Sequence, residues 1–248
     1  MCGDEEFGLE AAWYMMDMEG ILLKWFDKWL KNDGGDVNEY PVKIFVMGEN
    51  KWRNEKEWPL KRTQYVNYYL HSNGNANSNM TEGILNTTLP QSEPNDRYAY
   101  DPMNPVPTIG GSLCCDTTHM PGGPYDQRPL ESRNDVLIYT TETLTEDIEV
   151  TGRIIINFWA SSSALDTDFT GKLVEVTPCG YAKNLQDGII RARYRNSRKT
   201  PELLEPNKIY NYELDLWSTS NLFKKGHKIR VEISSSNFPR FDRNLNTG

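Results

Sequence analysis

The sequence predicts a mainly β fold, a jelly-roll β-sandwich preceded by one helix and one strand, and three observations carry that expectation. First, Tyr210, Tyr212, Leu214 and Leu216 alternate with Asn211, Glu213 and Asp215, as Ile229, Val231 and Ile233 do with Lys228, Arg230 and Glu232. A half-buried antiparallel strand has this period of two, because successive side chains point to opposite faces and one face meets water. Second, from Val136 onward such segments follow one another with no helical pattern between them, which favours a sandwich over a parallel sheet. Third, one helical pattern stands near the start, where Met15, Met18, Leu22, Trp25, Phe26 and Trp29 recur at three- and four-residue spacing.

In chain order, the helix is expected over Glu10–Lys31, with an acid near its start and Lys28 and Lys31 near its end, as the helix dipole prefers. Gly34 and Gly35 are expected to stop it. A strand follows over Val42–Val46, closed by Gly48, then a polar loop holding Trp52 and Trp58 and ending at Pro59. Tyr65–Leu70 reads as another strand, and His71–Met80 is too rich in Asn, Ser and Gly to be regular. Glu93–Pro129 is loop-dominated and interrupted by prolines from Pro94 to Pro129. So long a loop implies that it packs against something else. The remaining strands are expected over Val136–Thr140, Val150–Ala160, Lys172–Val176, Gly188–Tyr194, Ile209–Trp217 and Lys228–Ile233.

At 248 residues, with 38 % hydrophobic and 25 % charged residues, the chain has enough apolar side chains for a core and lacks the composition of a disordered segment. Its formal net charge of −8 argues against nucleic acid and against an anionic membrane surface as partners. Arg191, Arg193 and Arg195, followed by Arg198 and Lys199, are the local exception. On a strand the first three share one face, read here as solvated or salt-bridged. No apolar span is long enough to cross a membrane. The first residues have neither a basic stretch nor an apolar one of the kind that directs secretion, so a cytoplasmic location is expected. The four cysteines, Cys2, Cys114, Cys115 and Cys179, lack metal-ligand spacing, and bonding the adjacent Cys114 and Cys115 strains the backbone. Free, mostly buried thiols are expected.

A search for chemistry assigns no catalytic residue. No Gly-x-Ser-x-Gly turn exists; Gly110-Gly111-Ser112-Leu113-Cys114 is the nearest and fails at its last position. His71, His119 and His227 are the only histidines. Asp166 and Asp168 are the carboxylates of most interest. A calcium site is one reading of them; the other is a structural one, with a carboxylate held by backbone amides, Arg240 or Arg243. No metal or cofactor is assigned. Trp52, Trp58, Trp159 and Trp217 are candidates for stacking on sugars in a binding module, although the strand positions of Trp159 and Trp217 point to core or interdomain packing.

Several runs resemble, in order, the serine hydrolase family that includes X-Pro dipeptidyl-peptidases, cocaine esterase and α-amino-acid ester hydrolases. They are Trp25-Phe26-Asp27-Lys28-Trp29; Val42–Gly48 followed by Trp52-Arg53 and Trp58-Pro59; Tyr100-Asp101-Pro102 with Pro105–Thr108 and Gly110-Gly111; and Gly123-Pro124 with Asp126–Pro129. Then come Ser162–Phe169, Asp187–Arg191, Ser234–Arg240, and Asp242-Arg243-Asn244 through Asn246-Thr247-Gly248. The resemblance implies that residues 1–60 are the end of an α/β-hydrolase domain, leaving its closing helix and a strand. It makes 61–130 a loop-rich connection and 131–248 the main body of a galactose-binding-like jelly roll, truncated at its end. It also implies that the Ser, Asp and His of the triad precede this chain and that the partner is a missing N-terminal hydrolase domain. The chain alone is therefore expected to be inactive, and sticky or homo-oligomeric.

Overall fold

The computed structural model describes residues 2–32, 40–77, 82–114 and 118–248. Ten strands and two short α-helices make up its regular elements: β1 (Val42–Val46), β2 (Lys51–Glu55), β3 (Tyr69–His71), β4 (Ile84–Asn86), β5 (Leu137–Thr140), β6 (Ile148–Ala160), β7 (Asp168–Val176), β8 (Ala182–Arg191), β9 (Tyr210–Phe223) and β10 (Lys228–Ser234), with α1 (Met18–Phe26) and α2 (Arg128–Glu131). The chain is mainly β, as expected. One sheet has the order β3-β4-β5-β10-β7-β8, and the long antiparallel pair β6-β9 faces it. Between them lie Leu137, Tyr139, Leu173, Ile229 and Ile233 from one sheet and Ile156, Leu214, Leu216 and Phe223 from the other. The residues read as the apolar sides of the last two strands supply much of this layer.

Close approach of the sheets depends on two glycines. A Cβ at Gly188 of β8 would sit 2.3 Å from the Asp215 carbonyl oxygen of β9, and one at Gly171 of β7 would sit 2.7 Å from Ile156 and Leu214 methyl carbons. Any larger residue there forces backbone apart or overpacks the core. At one end of the layer Phe158, Phe169 and Tyr212 form a ring cluster, with centroids 4.8 to 5.5 Å apart.

The early elements depart from the sequence reading. The helix is not continuous over Glu10–Lys31: short 3-10 turns span Leu9–Ala11 and Trp13–Met15, and α1 begins at Met18. Asp17 is the reason, because its carboxylate accepts the Gly20 amide at 2.9 Å and so caps a new helix rather than continuing an old one. α1 widens into a π-helical turn over Asp27–Lys31 and ends at Asn32, whose φ of 58° is left-handed. Gly34 and Gly35, expected to stop it, lie outside the described residues, as do Ser78–Met80 of the irregular stretch. Trp52 is in a strand rather than a loop: β2 pairs with β1 from Val42 opposite Glu55 to Val46 opposite Lys51. The Tyr65–Leu70 strand shortens to β3, and β4 has no counterpart among the expected strands.

The later strands also depart from the sequence reading. β7 starts at Asp168, not Lys172, because Asp168 pairs in register with Arg191 of β8. β8 runs from Ala182 to Arg191 and then turns, so Arg191, Arg193 and Arg195 do not share a strand face. The turn is made by Asp166, which accepts both the Arg193 amide at 2.8 Å and its Nε at 2.7 Å. On β10, Arg230 and Glu232 are buried rather than facing water. The loop-dominated segment before β5 covers them, with Val106, Leu130 and Val136 packed on Ile138 of β5. Long as it is, that segment serves as a third layer on the sheet's outer face.

Candidate functional site

A cleft of about 430 Å³ opens where the first residues, the β1–β2 hairpin, residues 111–113, residues 123–124 and strands β8 and β9 meet. Its shape follows from how those parts are tied. Phe45 of β1 packs edge-on against Phe7 and Trp52, with ring centroids 6.1 and 5.3 Å away. The Trp52 indole N–H donates to the Glu10 carbonyl at 2.7 Å. The hairpin in turn bonds to β9: the Met47 amide donates to Ser220 and the Leu222 amide donates to Met47. Across the cleft, Gly111 and Gly123 exchange backbone hydrogen bonds of 2.8 and 2.9 Å. The Asp4 amide donates to the Pro124 carbonyl at 2.9 Å, so the first residues are laced to that wall.

The cleft walls are Phe7, Phe45, Met47, Leu113, Pro124 and Leu185, with a polar strip of Ser112, Gln186 and Ser218–Ser220. The Ser112 hydroxyl donates to Gln186 Oε1 at 3.0 Å, and Gln186 Nε2 donates to the Ser218 carbonyl at 2.7 Å. Among the described residues no ionisable acid or base lines it apart from the Cys2 thiol, so those residues can hold an apolar group beside a few hydrogen-bonding atoms. The run nearest to a nucleophile turn, Gly110–Cys114, thus supplies a cleft wall and its serine is engaged by an amide side chain.

The histidines are dispersed. His71 places Nδ1 2.6 Å from Glu93 and Nε2 2.9 Å from the Thr88 carbonyl, and the carboxylate raises its pKa while its own is lowered. His227 places Nδ1 2.7 Å from the buried Glu175. His119 lies in an exposed turn.

Asp166 and Asp168 do come together, both fully buried. The arginines that hold them are Arg193 and Arg191, not Arg240 or Arg243, while the expected backbone amide is present at Arg193. Asn244 Nδ2 bridges the two carboxylates at 2.7 and 2.9 Å. Arg240 instead pairs with Asp187 at 2.7 Å, and Arg243 donates to the Pro102 carbonyl. Among the described residues no three His, Cys, Asp or Glu side chains are grouped to hold a metal ion. Cys2 and Cys179 are free but exposed and Cys114 is disulfide-bonded, so the expectation of free, mostly buried thiols is overturned; Cys115 lies outside the described residues.

Two apolar surfaces are left open. Ile21, Leu22, Leu23, Trp25, Phe26, Trp29 and Leu30 are between 47 % and 77 % exposed, and α1 buries none of its side chains. On the outward side of β6-β9, Trp159 and Trp217 are each 73 % exposed, which overturns the core half of the expectation of core or interdomain packing. No described helix is long and apolar enough to cross a membrane.

Comparison with known proteins agrees with this arrangement. Residues 36–248 match the family model of the X-Pro dipeptidyl-peptidase C-terminal non-catalytic domain. The chain is 45 % identical over 246 residues to the cocaine esterase of Rhodococcus sp. (strain MB1 Bresler), an alignment covering 99 % of this chain and 42 % of that one. An aminopeptidase from a marine sediment Thaumarchaeota archaeon superposes with a TM-score of 0.79 at 30 % identity, over 93 % of this chain and 38 % of the other. An α-amino acid ester hydrolase superposes with a TM-score of 0.76 at 30 % identity, over 92 % and 38 %. The chain therefore spans about two fifths of the length of these relatives.

Proposed function

The chain belongs to the family of X-Pro dipeptidyl-peptidase C-terminal non-catalytic domains, and on that premise we propose that it is the C-terminal β portion of an X-Pro dipeptidyl-peptidase- or acyl-esterase-type serine hydrolase. In this reading residues 131–248 are the body of a jelly roll. Residues 1–60, with α1 and the β1–β2 hairpin, are the end of the α/β-hydrolase domain, and 61–130 connects the two. The parent reaction is hydrolysis of a peptide or ester acyl bond through an acyl-serine intermediate, stabilised by an oxyanion hole supplied by the catalytic domain. This chain stabilises that domain and covers one side of its active site, with the apolar cleft on the covering side.

The observation that carries the proposal is the bare apolar surface of α1. A patch of adjoining Leu, Trp and Phe side chains marks a contact surface, and in this reading the catalytic domain occupies it. The test has two arms. Reading the coding DNA upstream of the Met1 codon should show an open frame encoding Gly-x-Ser-x-Gly and then a Trp-x-His segment; an in-frame stop there overturns the proposal. Incubating the chain alone with a Pro-containing dipeptide anilide and a p-nitrophenyl ester should release no product above the buffer rate.

A second reading, a carbohydrate- or protein-binding module, is favoured by Trp159 and Trp217, held outward on one sheet face. Retention on insoluble polysaccharide, lost in a Trp159→Ala, Trp217→Ala double variant, would bring it forward.

A further inference from the structure

Under the third layer, the outer face of the six-stranded sheet holds charges that do not reach water. Glu131 of α2 and Glu232 of β10 are 4 % and 3 % exposed, and the two carboxyl groups lie beside each other. Glu131 Oε1 accepts from Arg230 Nη1 at 2.5 Å. Glu131 Oε2 and Glu232 Oε1, however, are both buried without a donor. The remaining oxygen, Glu232 Oε2, is 3.9 Å from Lys172 Nζ, which donates to Gln127 Oε1 at 2.8 Å.

Two ionised carboxylates have no hydrogen to place between them, and a buried acceptor without a donor is costly. Here both orphaned oxygens belong to the same pair. A single proton satisfies both at once, and it also removes one of two adjacent buried negative charges. We propose that Glu131 and Glu232 share one proton, and that this proton fastens α2 and the covering segment to the sheet until alkaline pH removes it.

The surrounding groups agree. From β7 comes Lys172; from β8 Asp187, engaged by Arg240 at 2.7 Å and Asn237 at 3.0 Å; from β10 itself Arg230, whose Nε donates to Thr140 of β5 at 2.8 Å. Tyr139 of β5 points to the opposite face, where its hydroxyl donates to Asp96. Burial pushes the Glu232 carboxyl up to about 8, with Lys172 opposing and the neighbouring Glu131 carboxylate adding to the rise. Burial also lowers the Lys172 ammonium.

The folded chain then keeps a proton that the unfolded chain has released. Stability from it is complete below the ordinary carboxylate range and is lost as pH rises toward 8. For one such proton the unfolding equilibrium constant grows about tenfold per pH unit across that window. Urea denaturation of the full chain between about pH 5.5 and 8 compares wild type with Glu232→Gln, whose amide donates permanently to Glu131. The wild-type constant should climb about ten times more steeply per pH unit than that of the variant; parallel pH profiles overturn the proposal. Hydrogen exchange in residues 127–136, corrected for base catalysis, should accelerate above pH 8 in wild type and not in the variant.

Infrared spectroscopy keeps the proposal testable if the variant does not fold. Wild type at pH 7 should show the carbonyl band of an un-ionised carboxylic acid, and Asp187→Asn should retain it. Absence of that band in wild type, or its loss in Asp187→Asn, overturns the shared proton.

Discussion

Arg53 of β2 grips Glu149 of β6 with two parallel hydrogen bonds of 2.8 and 2.7 Å. This bidentate pair is a side-chain tie between the β1–β2 hairpin and β6, and Arg53 Nε also lies 2.7 Å from the buried Glu55, which Arg62 holds as well. The hydrogen bond from Arg53 pulls the Glu149 carboxyl down to about 2 despite partial burial, with a further bond from Thr151. Because the pair is partly in contact with solvent, its contribution is modest. Glu149→Gln should cost about 1 kcal/mol at pH 7 by urea denaturation, a charged hydrogen bond discounted for screening. The sign of the pH dependence is fixed by the depressed pKa. The contribution is complete above the ordinary carboxylate range, about pH 4.5, and drains away as pH falls toward 2. The gap between wild type and variant should be level near neutrality and close in acid; a gap that widens in acid contradicts the assignment.

Asn244 ties the last described residues to the core. Its Nδ2 bonds Asp166 and Asp168 together, while its backbone carbonyl accepts from the Tyr100 hydroxyl at 3.0 Å. Asn244→Ala leaves two buried carboxylates each one donor short, for a loss of about 1–3 kcal/mol. Asn244→Asp should be worse, since it adds a third carboxylate beside two that are already buried. Chemical denaturation of the two variants orders them; equal stabilities would show that Arg191 and Arg193 alone satisfy the acids.

Much of the fold is legible in the sequence where one strand face is apolar and the other polar. Tyr212, Leu214 and Leu216 are buried on β9 while Asn211 and Glu213 are exposed, as alternation requires. The same rule misleads on β10. Alternation separates two faces without saying what lies on the second, and a loop rich in proline covers Arg230 and Glu232. β2 escapes the pattern because Lys51-Trp52-Arg53-Asn54-Glu55 has no apolar face: its charges alternate with one Trp and one Asn. Asp166 and Asp168 stand out in the sequence as unusual carboxylates, but their partners do not. Those partners depend on the register that sets Asp168 opposite Arg191, and no local pattern encodes it. The cleft is illegible for the same reason: its walls come from six separate stretches of chain.

The bare side of α1 makes the last prediction. Leu22, Trp25, Phe26 and Trp29 recur along a helix whose own chain covers none of them, and each large ring left in water forgoes on the order of 1.5–3 kcal/mol of burial. In the absence of a covering domain, copies of the chain should associate through this surface. Leu22→Glu with Trp29→Glu removes part of it at positions that no described core residue contacts, so the fold should survive with its melting temperature within a few degrees. Light scattering at high concentration should show wild type larger than a monomer and the double variant shifted toward one. A wild type that stays monomeric removes the basis for self-association. A variant that still associates moves the contact to the Trp159 and Trp217 face of β6-β9, where Trp159→Ser with Trp217→Ser is the corresponding test.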